Sequence, residues 1–240
     1  PLLVAGWDPE SAKPDIPTQG KRSDIDSFKE NVLSGQCRNW DTAMLNHSGL
    51  AARAEGFVRQ FISRYAPLVP MSSEEWERLK SDGRICQWVM WAITHLNMQD
   101  ESYRYRKVGV LTDNVLNGGT GGNTGKSYFC DWYPRLMATV GIKVQVLAPG
   151  KLADMAMQLR GDVHQVLIDI PASRSDNLQW SFIEELKSGR VNSPKYHSTT
   201  VEMANKPISV LILCNNHPDK SRRIVETPET VTMGTHRQWD

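Results

Sequence analysis

The sequence predicts an α/β protein in which a small all-helical unit precedes a mostly parallel sheet flanked by helices. Three observations carry this. Between residues 108 and 213, short runs of Val, Ile and Leu alternate with amphipathic stretches, the signature of strand–helix–strand units. Residues 23–100 show helical period without such runs. Finally, Gly119-Thr120-Gly121-Gly122-Asn123-Thr124-Gly125-Lys126-Ser127 lies between a strand-like and a helix-like segment, where a glycine loop can present backbone amides to an anion.

Residues 1–22 are punctuated by Asp8-Pro9, Lys13-Pro14 and Ile16-Pro17 and read as a linker. From Ser23 an N-cap and early acids open a helix with Ile25, Phe28, Val32 and Leu33 at helical spacing, and Gly35 ends it. A second helix is expected over residues 50–65, with Phe57, Phe61 and Ile62 on its apolar face, before Pro67 and Pro70 interrupt. A third begins at Ser72 or Ser73 with a capping box and carries Trp88, Trp91, Ala92 and Leu96. Strands are then expected at 108–111, 143–147, 165–170 and 208–213, with helices at 128–140, 152–159 and 182–186. Residues 224–240 read as a polar tail.

The loop chemistry is specific. Lys126 can reach the β- and γ-phosphates of a nucleotide, and the Ser127 hydroxyl can ligate Mg²⁺. The usual spacing would place glycine where Thr120 stands; the upstream Gly119 is one residue too far. Val166-Leu-Ile-Asp169 is an apolar run ending in an acid, suited to hold the metal's water shell. A third apolar run enters Cys214-Asn215-Asn216-His217-Pro218, where an amide side chain could sense the γ-phosphate; an Asn-rich turn before proline is also ordinary loop chemistry.

A net charge of +1 excludes a global field for nucleic acid, so any DNA contact must be a local basic patch. The hydrophobic content of 40% and charged content of 23% are those of a globular protein. Cys37, Cys86, Cys130 and Cys214 lack metal or disulfide spacing and read as buried thiols of a reducing compartment. No apolar run approaches a membrane span, so the expectation is a soluble chain with no membrane partner. The histidines show no metal-like spacing.

In chain order, Gly122-Asn-Thr-Gly-Lys-Ser-Tyr-Phe-Cys130, Leu167-Ile-Asp-Ile-Pro171, Leu186-Lys-Ser-Gly189 with Lys195-Tyr196, and Leu211-Ile-Leu-Cys-Asn-Asn-His-Pro-Asp219 resemble one family. It is the superfamily 3 helicase domain (AAA+ ATPase) of replication-initiator (Rep) proteins from circular single-stranded DNA viruses. The loop from Gly119 to Ser127 resembles most the nanovirus and alphasatellite branch, whose Gly-x-x-Gly-Asn-x-Gly-Lys-[Ser/Thr] spacing accounts for the extra residue.

The resemblance implies a P-loop AAA+ domain over residues 101–223, preceded by a helical oligomerisation domain over residues 23–100. It implies ATP and Mg²⁺ as cofactors, the loop residues Gly119, Gly122, Asn123, Thr124, Gly125, Lys126 and Ser127 on the phosphates, and Ser127 with Asp169 toward the metal. Asn215 matches the sensor, and Arg222 or Arg223 the arginine supplied across a subunit interface. The implied partners are single-stranded DNA and further copies in a hexameric ring, in a host nucleus. DNA contact is expected on a β-hairpin carrying Lys187, Arg190, Lys195, Tyr196 and His197. The second motif has one acid, flanked by Ile168 and Ile170, where the family often has two; Glu184 and Glu185 are the alternatives for the base. The family's nuclease motifs are absent from this sequence, so no nicking is expected.

Overall fold

A computed structural model describes residues 23–113, 124–171, 179–193, 199–215 and 230–233. The chain divides into two compact units between Pro67 and Leu68.

The first unit is helical: α1 (Ser23–Leu33), α2 (Trp40–Asn46), α3 (Ser48–Arg53) and α4 (Glu55–Tyr65). Phe28 and Val32, one turn apart on α1, bury against Ala43, Leu50, Val58 and Ile62. The Phe28 ring packs edge-on to His47 and tilted against Phe57 and Phe61. Gly35, at φ +80°, closes α1 as its sequence position predicts. The helix expected over 50–65 is instead two, broken at Ala54, and α2 was not foreseen; its Asn39 cap accepts a hydrogen bond from the Thr42 amide.

The second unit contains α5 (Ser73–Ser81), α6 (Gln87–Leu96), α7 (Glu101–Arg106), α8 (Lys126–Ala138), α9 (Leu152–Gln158) and α10 (Trp180–Ser188). Its strands are β1 (Gly109–Asp113), β2 (Val144–Leu147), β3 (Gln165–Ile170), β4 (Arg190–Ser193), β5 (Thr199–Glu202), β6 (Ser209–Cys214) and β7 (Thr230–Met233). Five strands pair in parallel in the order β2-β3-β6-β1-β7, and β4 pairs antiparallel with β5.

Both faces of the sheet are apolar, so it must be covered twice. Val110, Val166, Ile168, Ile170, Val210 and Ile212 face α9, α10 and the β4–β5 hairpin. The alternate residues Leu111, Leu167, Leu211 and Leu213 face α5, α6 and α8. This corrects the expected domain boundary: α5 and α6 belong to the sheet-bearing unit, because Leu79, Val89, Ala92 and Leu96 bury in the same core as those sheet residues. They are also two helices rather than one, separated at Gly83, which sits at φ +66°. The Ser72 capping box forms as expected, with Glu75 N donating to Ser72 Oγ and Ser72 N donating to Glu75 Oε2.

A second correction concerns the tail. Within residues 224–240, Thr230-Val-Thr-Met233 forms the fifth strand and pairs with Val110–Asp113 of β1. Its β-branched residues favour a strand, but a four-residue run inside a polar stretch carries little periodicity.

Gly109 on β1 admits the His95 ring, whose nearest atoms lie 2.7 Å from where a Cβ would stand. Gly109→Ala is therefore expected to destabilise the fold by about 1–3 kcal/mol in urea unfolding. By contrast Gly49→Ala, in α3 with nothing within 4 Å, is expected to be neutral or stabilising by up to about 1 kcal/mol.

Candidate functional site

The carboxyl ends of the parallel strands meet at one sheet edge, where open α/β sheets place their ligands. Thr124, Gly125, Lys126, Ser127, Asp169 and Asn215, all singled out in the sequence, lie at that edge. Gly125, at φ +83°, turns the chain into α8; a Cβ there meets nothing within 4 Å, so the glycine answers a backbone need rather than a lack of space. Phe129 N makes the first bond within the helix, to Gly125 O, which leaves the amides of Lys126, Ser127 and Tyr128 directed at the helix mouth.

Lys126 is buried, and its Nζ donates to Thr124 Oγ1 at 3.2 Å. Ser127 Oγ donates to Asp169 Oδ2 at 2.7 Å, across 42 positions of sequence. Asp169 reaches it because the strand alternates: it follows Leu167 onto the face that α8 covers, while Ile168 and Ile170 point to the other. Asp169 pairs in register with Leu213, so Asn215, half-buried just beyond Cys214, is carried to the same edge. Under this pair lies Cys130, a buried thiol pushed up by desolvation and by the charges of Asp169 and Asp131; it is held as an inert packing group.

The set fits a magnesium nucleotide. Mg²⁺ takes one or two protein oxygens and completes its octahedron with phosphate and water, and Ser127 with Asp169 supplies such a pair. Among the described residues no three His, Cys, Asp or Glu side chains converge as a metal site. Among the described residues no helix is long and apolar enough to cross a membrane.

Other expected residues fall elsewhere. Gly119, Gly122, Asn123, Lys195, Tyr196, His197, Arg222 and Arg223 lie outside the described residues. The hairpin does form, and residues 194–198 connect β4 to β5. Glu185 Oε2 accepts a hydrogen bond from Asn192 N at 2.7 Å and is thereby committed to the hairpin base. Arg190 is exposed and pairs with Glu202 on the neighbouring strand.

Lys187 is a correction. It is buried rather than presented on a DNA-facing surface, and its Nζ donates to the carbonyls of Arg104, Lys107 and Ile208. The ammonium thus stitches the end of α7 and the strand leading into β6 to α10. A basic residue near a hairpin looks the same in sequence whether its head meets solvent or carbonyls, which is why it was misread. His95, without motif in the sequence, is likewise structural: Nε2 donates to Val210 O at 3.1 Å, leaving Nδ1 to accept from the Tyr103 hydroxyl at 2.9 Å.

No protein-family model matches this chain, and no curated protein matches it significantly.

Burial, and then the Arg104 charge, pull the Lys187 pKa from 10.5 down to about 8. Between those values the unfolded chain keeps a proton that the folded one has released, so stability should rise with pH through this window. Wild type should gain on Lys187→Met by up to about 1.4 kcal/mol per pH unit there, read from urea melts at stepped pH. A flat difference would mean that the three carbonyls keep the ammonium charged.

Proposed function

We propose that this chain is the ATP-dependent DNA helicase or translocase part of a viral rolling-circle replication initiator, a P-loop AAA+ ATPase of the superfamily 3 type. The observation that carries the reading is the 2.7 Å hydrogen bond from Ser127 to Asp169, which joins the end of the glycine loop to the acid at the end of β3. Two motifs separated in sequence are expected to meet in this way if they serve one phosphate-bound metal.

In this mechanism Lys126 offsets charge on the β- and γ-phosphates, and the amides opening α8 donate to the remaining phosphate oxygens. Ser127 would ligate the metal and Asp169 would hold its water shell; the metal, when bound, would supply Lewis-acid stabilisation of charge on the phosphates. Asn215 orients the attacking water. Arg222 or Arg223 acts from a neighbouring subunit, so turnover depends on assembly into a ring, a hexamer by the resemblance, acting in the host nucleus. Single-stranded DNA engages the β4–β5 connection, where Lys195 pairs with phosphate, His197 adds a polar contact and Tyr196 stacks on a base, worth about 1–3 kcal/mol.

Two observations favour a second reading, a nucleotide-dependent DNA-binding assembly module with little turnover. Asp169 is flanked by Ile168 and Ile170, and Glu185, offered as a substitute base, is occupied at the hairpin.

Steady-state ATP hydrolysis with Mg²⁺, with and without single-stranded DNA and over a range of protein concentration, separates the two. Turnover rising with both variables supports the motor; nucleotide binding without turnover supports the assembly module. Lys126→Ala should lower turnover at least about a hundredfold. Lys195→Ala should weaken single-strand binding and reduce its salt slope by about one, while DNA-free hydrolysis stays near wild type. Unchanged DNA affinity would remove the hairpin from the mechanism.

A further inference from the structure

Two side-chain hydrogen bonds tie α8 to β3. Ser127 Oγ, in the first turn of the helix, donates to Asp169 Oδ2 at 2.7 Å, near the end of the strand. Nearly two turns later the Tyr133 hydroxyl donates to Gln165 Oε1 at 2.8 Å, at the start of the same strand. Helix and strand therefore run in opposite directions, and the two ties stand about 9 Å apart along the helix. Tyr133 and Gln165 are both buried. Gln165 Nε2 donates to Leu96 O and to Asn97 Oδ1, each at 3.1 Å, while Asn97 Nδ2 donates to Ile93 O at 2.8 Å and to the Tyr133 hydroxyl at 3.0 Å. With the N–H groups of both amides engaged, neither side chain can turn over without losing a bond. Burial pushes the Tyr133 phenol well above its ordinary value, so the hydroxyl keeps the proton it donates.

Apolar cover alone does not decide where α8 stops along the strand. Phe129, Trp132 and Met137 share a core with Leu111, Leu167, Leu211 and Leu213, and contacts of that kind are non-directional. A slip by one residue's rise, about 1.5 Å, would exceed the margin between the 2.7 Å bond of Ser127 to Asp169 and the outer limit of an O–H···O bond, about 3.0 Å. We propose that Tyr133 and Gln165, fastened by Asn97, are positioning residues of the phosphate site: they fix the register of α8 on β3 and so keep Ser127 and Asp169 together as the pair that serves one metal. The inference rests on the reading of the glycine loop as a triphosphate site. Lys126 and the amides opening α8 belong to the helix itself and need no register with β3 to meet phosphate, whereas the pair of Ser127 and Asp169 spans helix and strand. Loss of the second tie therefore weakens the metal's share of binding and spares the phosphate's.

The test is equilibrium binding of inorganic tripolyphosphate to the full chain, in EDTA and in Mg²⁺, for wild type, Tyr133→Phe and the double variant Tyr133→Phe with Gln165→Met, alongside urea unfolding of each. In wild type, Mg²⁺ should tighten binding at least about tenfold. Tyr133→Phe should keep its affinity in EDTA to within about twofold of wild type, while its gain from Mg²⁺ falls below about threefold. It leaves Gln165 Oε1 buried without its donor and should lower the urea midpoint. The double variant makes both partners of that bond apolar at similar volume, so its midpoint should recover toward wild type while the Mg²⁺ gain stays lost. A Mg²⁺ gain that survives in Tyr133→Phe, or that returns with stability in the double variant, overturns the positioning role and leaves the loop reading in place. So does failure of the double variant to fold, which would make the pair a support of the core rather than of its register. Absence of any Mg²⁺ gain in wild type overturns the metal pair, and absence of binding in both conditions overturns the loop reading; the positioning role falls with either.

Discussion

A parallel sheet presents two apolar faces and hides neither by itself, so its formation requires cover on both sides. In this protein that requirement organises most of the second unit. The odd-numbered leucines of β1, β3 and β6 call for α5, α6 and α8 on one face; the even-numbered aliphatics call for α9, α10 and the hairpin on the other. Covering the first face places α8 against β3, and that packing brings the loop to the strand acid. The Ser127–Asp169 contact is thus a consequence of burial before it is a matter of chemistry.

Cover of this kind buries polar groups as well, and each must find a partner or cost about 1–3 kcal/mol. The second unit meets this with bonds between layers rather than within them. The Tyr133 hydroxyl donates to Gln165 on β3, while the Gln165 amide donates to Leu96 O and to Asn97 at the end of α6. His95 and Lys187 do the same from α6 and α10 toward β6. Such bonds fix helix position along the strand as well as distance from it. Even Pro134, inside α8, is accommodated: its loss of a helix hydrogen bond costs about 3 kcal/mol, set against the burial of Phe129, Trp132, Tyr133 and Met137 on the same helix.

The site at the sheet edge has the properties that phosphate chemistry asks of a protein. Its donors are fixed on a buried framework, its lysine is largely out of solvent, and its serine and acid are already joined.

Much of this was legible in the residues. The turn at Gly125 into α8, Asp169 at the end of β3 and the four apolar strand runs announce themselves through local pattern, because period and turn chemistry are properties of neighbours in sequence. The Ser72 capping box and the helix-ending Gly35 were legible for the same reason. What the sequence could not supply were decisions made by distant partners. The allegiance of α5 and α6 to the sheet, the recruitment of Thr230–Met233 as a fifth strand, and the burial of Lys187 all depend on which surface each segment meets. An amphipathic helix states that it has an apolar face; only the packed fold states what that face covers. A lysine states its charge, and the three carbonyls that receive it come from residues 104, 107 and 208, which no local pattern connects.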